Sequence, residues 1–164
     1  MRKKSQSGFT LIELVVVIVV LGILAGIALP RFASMQGQAR IAKMNGALGA
    51  MRSASVMSHA LLLANGYAQN ASVDPAAPDI NVEGTNVVYV NGYPNAATIA
   101  PLAGITNANS DFVINTNGAT TTITPDANHP NCSVTYTEAA AVAAGPVYSQ
   151  PTFSNAGLTE TNCN

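Results

Sequence analysis

The chain contains no tryptophan, and among its 164 residues only four are Phe and five are Tyr. Aromatics this scattered show no sugar-binding platform in the sequence. Charge is also scarce. Charged residues make up 9% of the chain, against roughly 25% in an average soluble domain. Cations stop early. Arg2, Lys3, Lys4, Arg31, Arg40, Lys43 and Arg52 are the whole set of Lys and Arg. Beyond Arg52 the charges are all acidic: Asp74, Asp79, Glu83, Asp111, Asp126, Glu138 and Glu160. Without clustered cations this part of the chain cannot displace the counterions of a nucleic acid, so no nucleic-acid partner is expected. Two readings of the charge split stand open. One is simple solubility. The other has acidic C-terminal parts meeting basic N-terminal parts of neighbouring copies.

Catalytic groupings are missing as well. There is no Gly-x-Ser-x-Gly elbow, no phosphate-binding glycine loop and no local carboxylate pair. The chain therefore reads as a non-enzyme without a cofactor. His59 and His129, with Cys132 and Cys163, fall at no zinc spacing and the histidines read as surface residues. Asp126 and Asn128 do not match an EF-hand loop, so no metal is assigned. Asn70-Ala71-Ser72 and Asn131-Cys132-Ser133 match the Asn-linked sequon, a pattern that arises by chance in a chain rich in Asn and Ser. The even cysteine pair suits one disulfide in an exported domain. Closing a loop of about 30 residues, it would contribute roughly 3–4 kcal/mol in the chain-entropy model.

What is present begins with a short basic stretch, MRKKSQSG, followed by FTLIELVVVIVVLGILAGIALP. No polar side chain occurs from Leu14 to Leu29. As a helix, Phe9 to Leu29 is about 31 Å long, enough to cross a bilayer core. Arg2, Lys3 and Lys4 should hold the N-terminus in the cytoplasm. A secretory signal has a shorter apolar core and a small-residue cleavage site after it. Here Pro30, Arg31 and Phe32 follow instead. A plain signal anchor fits the length but not Glu13, which sits inside the apolar run. A carboxylate there costs up to about 2.5–3.5 kcal/mol at the helix centre, less toward an end, and wants a cationic partner. No Lys or Arg lies within a turn or two, so the partner must come from elsewhere.

Gly8-Phe9-Thr10-Leu11-Ile12-Glu13 resembles the processing motif of type IV pilins and related pseudopilins. The basic leader, the Gly–Phe bond, Glu at the fifth mature position and the unbroken apolar run all occur in register. The similarity extends from Gly8 to about Met57. It implies cleavage after Gly8 by a prepilin peptidase and N-methylation of Phe9. It also implies that Glu13 pairs with the terminal amine of a neighbouring subunit. Gly22, Gly26 and Pro30 match family positions that bound a stretch able to lose helicity in the filament. Glycine and proline disfavour helix by about 1 and 3 kcal/mol relative to alanine.

From Arg31 to about Ala64 the helical pattern continues. Ile41, Met44, Leu48 and Met51 fall on one face, and Asn65-Gly66 reads as a stop. Gly37, Gly46 and Gly49 lower propensity, so packing must support this half. Composition changes after Gly66, where Asn, Thr, Pro, Gly and Ala dominate. Residues 67–86 read as an irregular connection. Strands are expected at Val87–Val90, Phe112–Thr116, Thr120–Thr124 and Cys132–Thr137, with a last extended piece near Pro146–Phe153. Asn91-Gly92 and Asn117-Gly118 are turn signals.

The expected fold is α+β: a long N-terminal helix packed on a small antiparallel sheet, the pilin-like roll. Its parts are a leader (1–8), a membrane and filament-core helix (9–30), an amphipathic stalk (31–65) and a β-rich head (66–164) closed by Cys132 and Cys163. Residues Arg40–Lys43, Gly46, Gly49–Met51, Ser53–Ser55 and Cys132–Thr137 resemble the mannose-sensitive haemagglutinin pilin group. Cys163 matches the closing cysteine of the pilin disulfide loop. The aromatic gap between Phe32 and Tyr67 argues against an electron-carrying filament. The function implied is a major pilin, inserted in the inner membrane and then polymerised with itself into an extracellular filament for attachment, biofilm formation or motility. Its partners would be the prepilin peptidase, the assembly machinery and an unidentified surface receptor. The alternative is a pseudopilin or minor pilin of a type II secretion-like machine.

Overall fold

The computed structural model describes residues 8–73, 80–82, 84–107, 111–141 and 148–164. Its spine is helix α1, Leu11–Ala64, 54 residues without a break. That is about 81 Å at 1.5 Å per residue. Its start is fixed by a capping box. Thr10 Oγ1 accepts from the Glu13 amide at 3.3 Å, and the Thr10 amide donates to Glu13 Oε2 at 2.9 Å. Two otherwise orphaned donors are thereby satisfied. Its end is a Schellman turn. Gly66 sits at φ 81°, its N–H bonds the Leu63 carbonyl at 3.0 Å, and the Tyr67 N–H reaches the Leu62 carbonyl at 3.3 Å. That left-handed residue is where glycine is favoured over any side chain. The Asn65-Gly66 stop is therefore where the sequence put it.

The two halves of α1 differ in what covers them. From Phe9 to Leu29 the large apolar side chains are all exposed. Beyond Gly37 a stripe at three- and four-residue steps is buried: Met44, Leu48, Met51, Ser55, Ser58 and Leu62. Ile41, Met44, Leu48 and Met51 do share one face, with Ile41 half-buried. Gly46 and Gly49 face open space. Gly37 differs, since a Cβ there would overlap the side chain of Asn164.

The head adds a series of short elements. Two small hairpins come first, β1 (Asn81–Val82) with β2 (Thr85–Asn86), and β3 (Tyr89–Val90) with β4 (Tyr93–Pro94). Helix α2 (Ala96–Leu102) follows. Then β5 (Val113–Asn117), β6 (Thr120–Thr124), β7 (Val134–Thr137) and β8 (Thr152–Ser154) form a four-stranded antiparallel sheet in chain order. A last turn of helix, α3 (Glu160–Cys163), closes the chain. Alternation on β6 and β7 buries Thr121, Ile123, Val134 and Tyr136. Ile123, Val134 and Tyr136 meet Met44, Leu48 and Met51 of the α1 stripe together with Ile99 and Ala100 of α2. A second cluster, Leu62, Ile80, Val87 and Tyr89, covers the upper end of α1. The fold is α+β, a long helix on small antiparallel sheets.

Several expectations shift in detail. Asn91 (φ 50°) and Gly92 (φ 86°) are both left-handed between β3 and β4, the type I′ pattern expected of Asn-Gly. At the second turn Asn117 pairs with Thr120, so the tip is Gly118-Ala119 rather than Asn117-Gly118. Only Gly118, at φ 55°, has positive φ there, which is the type II′ pattern with glycine first. Residues 67–86 are not all irregular, because β1 and β2 lie there. Val87 and Val88 fall outside the strand, and Val87 enters the second core cluster instead. The strand expected from Cys132 starts at Val134. The last strand is Thr152–Ser154, and Pro146 and Val147 lie outside the described residues. Helix α2 was not expected. Asn95 caps it, its side chain accepting from the Thr98 amide at 3.0 Å.

Candidate assembly segment and its lock to the head

Apart from Gly8, the leader expected at 1–8 lies outside the described residues. Gly8 is exposed, and Phe9 is 94% exposed. Thr10 forms the cap, and its hydroxyl also donates to Glu13 Oε2 at 2.7 Å. The carboxylate thus folds back on the first turn of α1, where a helix terminus favours negative charge. The Thr-x-x-Glu spacing carried this signal in the sequence. Glu13 lies with Phe9, Ile12, Val16 and Val17 along one shallow surface depression of about 380 Å³.

A run from Phe9 to Leu29 with large apolar side chains 42–94% exposed is not a stable surface in water. It is long and apolar enough to cross a membrane. Gly22 and Gly26 have open space around them, and Pro30 lies inside the unbroken helix. Pro30 donates no backbone hydrogen bond, so the helix is locally weaker there.

The stalk cations turn inward on their own chain. Arg40 donates from Nη1 to the Cys163 carbonyl at 2.9 Å, and its Nε lies 3.4 Å from Asp126 Oδ2. Lys43 donates to the carbonyls of Asp111 and Pro125 and sits 4.3 Å over the Phe112 ring. Arg52 lies 5.6 Å from the Phe153 ring centroid. Head and stalk therefore meet electrostatically within one subunit. The Arg40–Asp126 pairing assigns that much of the charge split to the same chain rather than to a neighbouring copy. Sequence reasoning missed these contacts because Arg40 and its partners are far apart along the chain.

Asp126 is the hub of the lock. Its Oδ1 accepts from the amides of Asn128 and His129 at 2.9 and 3.1 Å and lies 2.7 Å from His129 Nδ1. Burial pushes its carboxyl up. The His129 and Asn128 hydrogen bonds and the charges of His129 and Arg40 outweigh that and hold it below its ordinary value. Both oxygens of the carboxylate are engaged by protein groups. Cys132 and Cys163 are joined in a disulfide with Cα atoms 4.9 Å apart. This bond ties α3 to the loop before β7, while Arg40 ties α3 to the stalk.

Against known proteins, residues 3–29 match the prokaryotic N-terminal methylation motif. Over about a third of its length the chain is similar to type IV pilus and fimbrial proteins. It is 53% identical over 47 residues to the type IV narrow pilus major component PilA5 of Thermus thermophilus, covering 29% of this chain and 40% of that protein. It is 40% identical over 52 residues to the type IV major fimbrial protein FimA of Dichelobacter nodosus, covering 32% and 33%. Over this share of its length the chain is type IV pilin-like. The chain is also 44% identical over 54 residues to the type II secretion system core protein G of Pseudomonas aeruginosa, covering 33% of this chain and 38% of that protein. The chain thus matches well under half the length of these curated relatives. No solved structure matches it. In this pilin-like chain the methylation motif ends at residue 29, before the stalk.

Proposed function

We propose that this chain is the major structural subunit of a type IV pilus, a non-enzymatic protein made as an inner-membrane precursor and assembled with copies of itself into an extracellular filament. The observation that carries this reading is the methylation motif in register with an entirely exposed apolar helix, which continues without a break into a stalk locked to its own head. A prepilin peptidase would cut between Gly8 and Phe9 and methylate the new Phe9 amine. The exposed segment 9–30 would leave the bilayer for the filament core, where neighbouring helices bury it. Glu13, folded on Thr10 in the single subunit, would exchange that contact for the Phe9 amine of a neighbour. Gly22, Gly26 and Pro30 mark where α1 would loosen on packing. The head would form the outer surface for attachment or biofilm formation.

Replacing Glu13 tests the assembly role. Glu13→Ala should leave membrane insertion intact and abolish filaments in electron micrographs. Normal filaments from that variant would refute the role assigned to Glu13. A second reading, the pseudopilin or minor pilin of a type II secretion-like machine, is favoured by the likeness to core protein G. It predicts short periplasmic assemblies in place of long surface filaments.

A further inference from the structure

Four Asn-Gly pairs punctuate the chain: Asn45-Gly46, Asn65-Gly66, Asn91-Gly92 and Asn117-Gly118. In each, the glycine has no Cβ to shield its amide nitrogen from the Asn side chain before it. That nitrogen can attack the Asn Cγ and close a five-membered succinimide ring. Closure needs a glycine amide free of other bonds and an Asn free to turn about its Cα–C bond.

The fold withholds these conditions from three of the pairs. Asn45-Gly46 lies inside α1, where the glycine amide belongs to the helix ladder and turning Asn45 would break the helix. The Asn65 side chain donates to the Leu61 carbonyl at 2.9 Å, and the Gly66 amide donates to the Leu63 carbonyl at 3.0 Å. The Asn91 side chain donates to the Ala139 carbonyl at 3.0 Å, and the buried Gly92 donates its amide to the Ala71 carbonyl at 2.9 Å.

Asn117-Gly118 differs in each respect. Asn117 closes β5 and pairs with Thr120, so Gly118 and Ala119 form the turn. A β-turn bonds its fourth N–H to its first carbonyl, which leaves the amide of Gly118, second in the turn, to water. Asn117, Gly118 and Ala119 are all exposed. A Cβ placed on Gly118 would meet nothing within 4 Å. Turning Asn117 therefore displaces only a hairpin tip, where a chain tolerates change best.

We propose that Asn117-Gly118 is a self-modifying site, at which the folded head converts a side-chain amide to a carboxylate with water as the sole co-reactant. The deprotonated Gly118 nitrogen bonds to Asn117 Cγ. The Cγ–Nδ2 bond breaks with its electron pair on nitrogen, which takes a proton from water and leaves as ammonia. A water molecule then opens the ring. Attack at Cγ yields aspartate, and attack at the main-chain carbonyl yields isoaspartate. Nothing is oxidised or reduced. Isoaspartate adds a methylene to the main chain at the end of β5. Either product adds negative charge to a head whose charges beyond Arg52 are already all acidic. The inference goes beyond the filament reading and does not depend on it.

The test incubates full-length protein in detergent and heavy-oxygen water at neutral pH, then follows each of the four asparagines by peptide mass spectrometry. In the folded protein Asn117 should take up heavy oxygen at least tenfold faster than Asn45, Asn65 and Asn91, and part of the product should be isoaspartate. The rate should rise with pH, because the attacking nitrogen is deprotonated. In urea, which removes the protection of the other three, the four rates should converge. Gly118→Ala should slow conversion at Asn117 at least fivefold. A folded-state rate at Asn117 no greater than at Asn65 or Asn91 would overturn the inference, as would conversion that Gly118→Ala leaves unchanged. The comparison among the four sites within wild-type protein keeps the test decisive if Gly118→Ala fails to fold.

Discussion

The Nε of Arg40, midway along α1, lies 3.4 Å from Oδ2 of Asp126 in the head. Through this pair the stalk grips the head of its own chain. The same guanidinium holds the Cys163 carbonyl, so one side chain serves two segments of the head.

Asp126→Ala should weaken the head by about 1 kcal/mol, since an exposed ion pair contributes little and the loop amides lose their acceptor. The pH dependence has a definite sign. The folded-state pKa of Asp126 is depressed, so its contribution is present above the unfolded value near 4. It is lost as pH falls through the lower folded value. Urea unfolding of the full-length protein between pH 2.5 and 7 should show a loss of stability below about pH 4 that Asp126→Asn reduces. An unchanged acid limb in that variant would contradict the assignment.

Removing the disulfide should matter more. Cys163→Ser opens a staple that spans 31 residues. The expected cost is roughly 2–5 kcal/mol. Thermal unfolding with and without reductant checks this. The wild-type midpoint should fall on reduction, and the variant's midpoint should not respond.

Glycines on this chain should answer oppositely to alanine. Gly49 is helical and faces open space, so Gly49→Ala should stabilise the single subunit by up to about 1 kcal/mol. Gly92 combines φ 86° with a backbone oxygen where Cβ would stand. Gly92→Ala should therefore destabilise by about 2 kcal/mol or more. Chemical denaturation of the pair separates the two cases.

Much of this was legible from local signals. Glu13 in register with Gly8-Phe9, the stripe through Met44, Leu48 and Met51, and the Asn91-Gly92 turn depend only on near neighbours in sequence. What was not legible depends on folding distant segments together. Helix α2 is short and carries Pro101 within it, so its period is too brief to register. The stack of His59 on Tyr93 likewise forms only in space.

The central claim is that Phe9 begins the mature chain and that the chain builds a filament. The most direct measurement is mass spectrometry of the N-terminal peptide from purified surface filaments. The account predicts that this chain is the main polypeptide and that it begins at N-methylated Phe9. A chain that still begins at Met1, or filaments that lack it, would contradict the account.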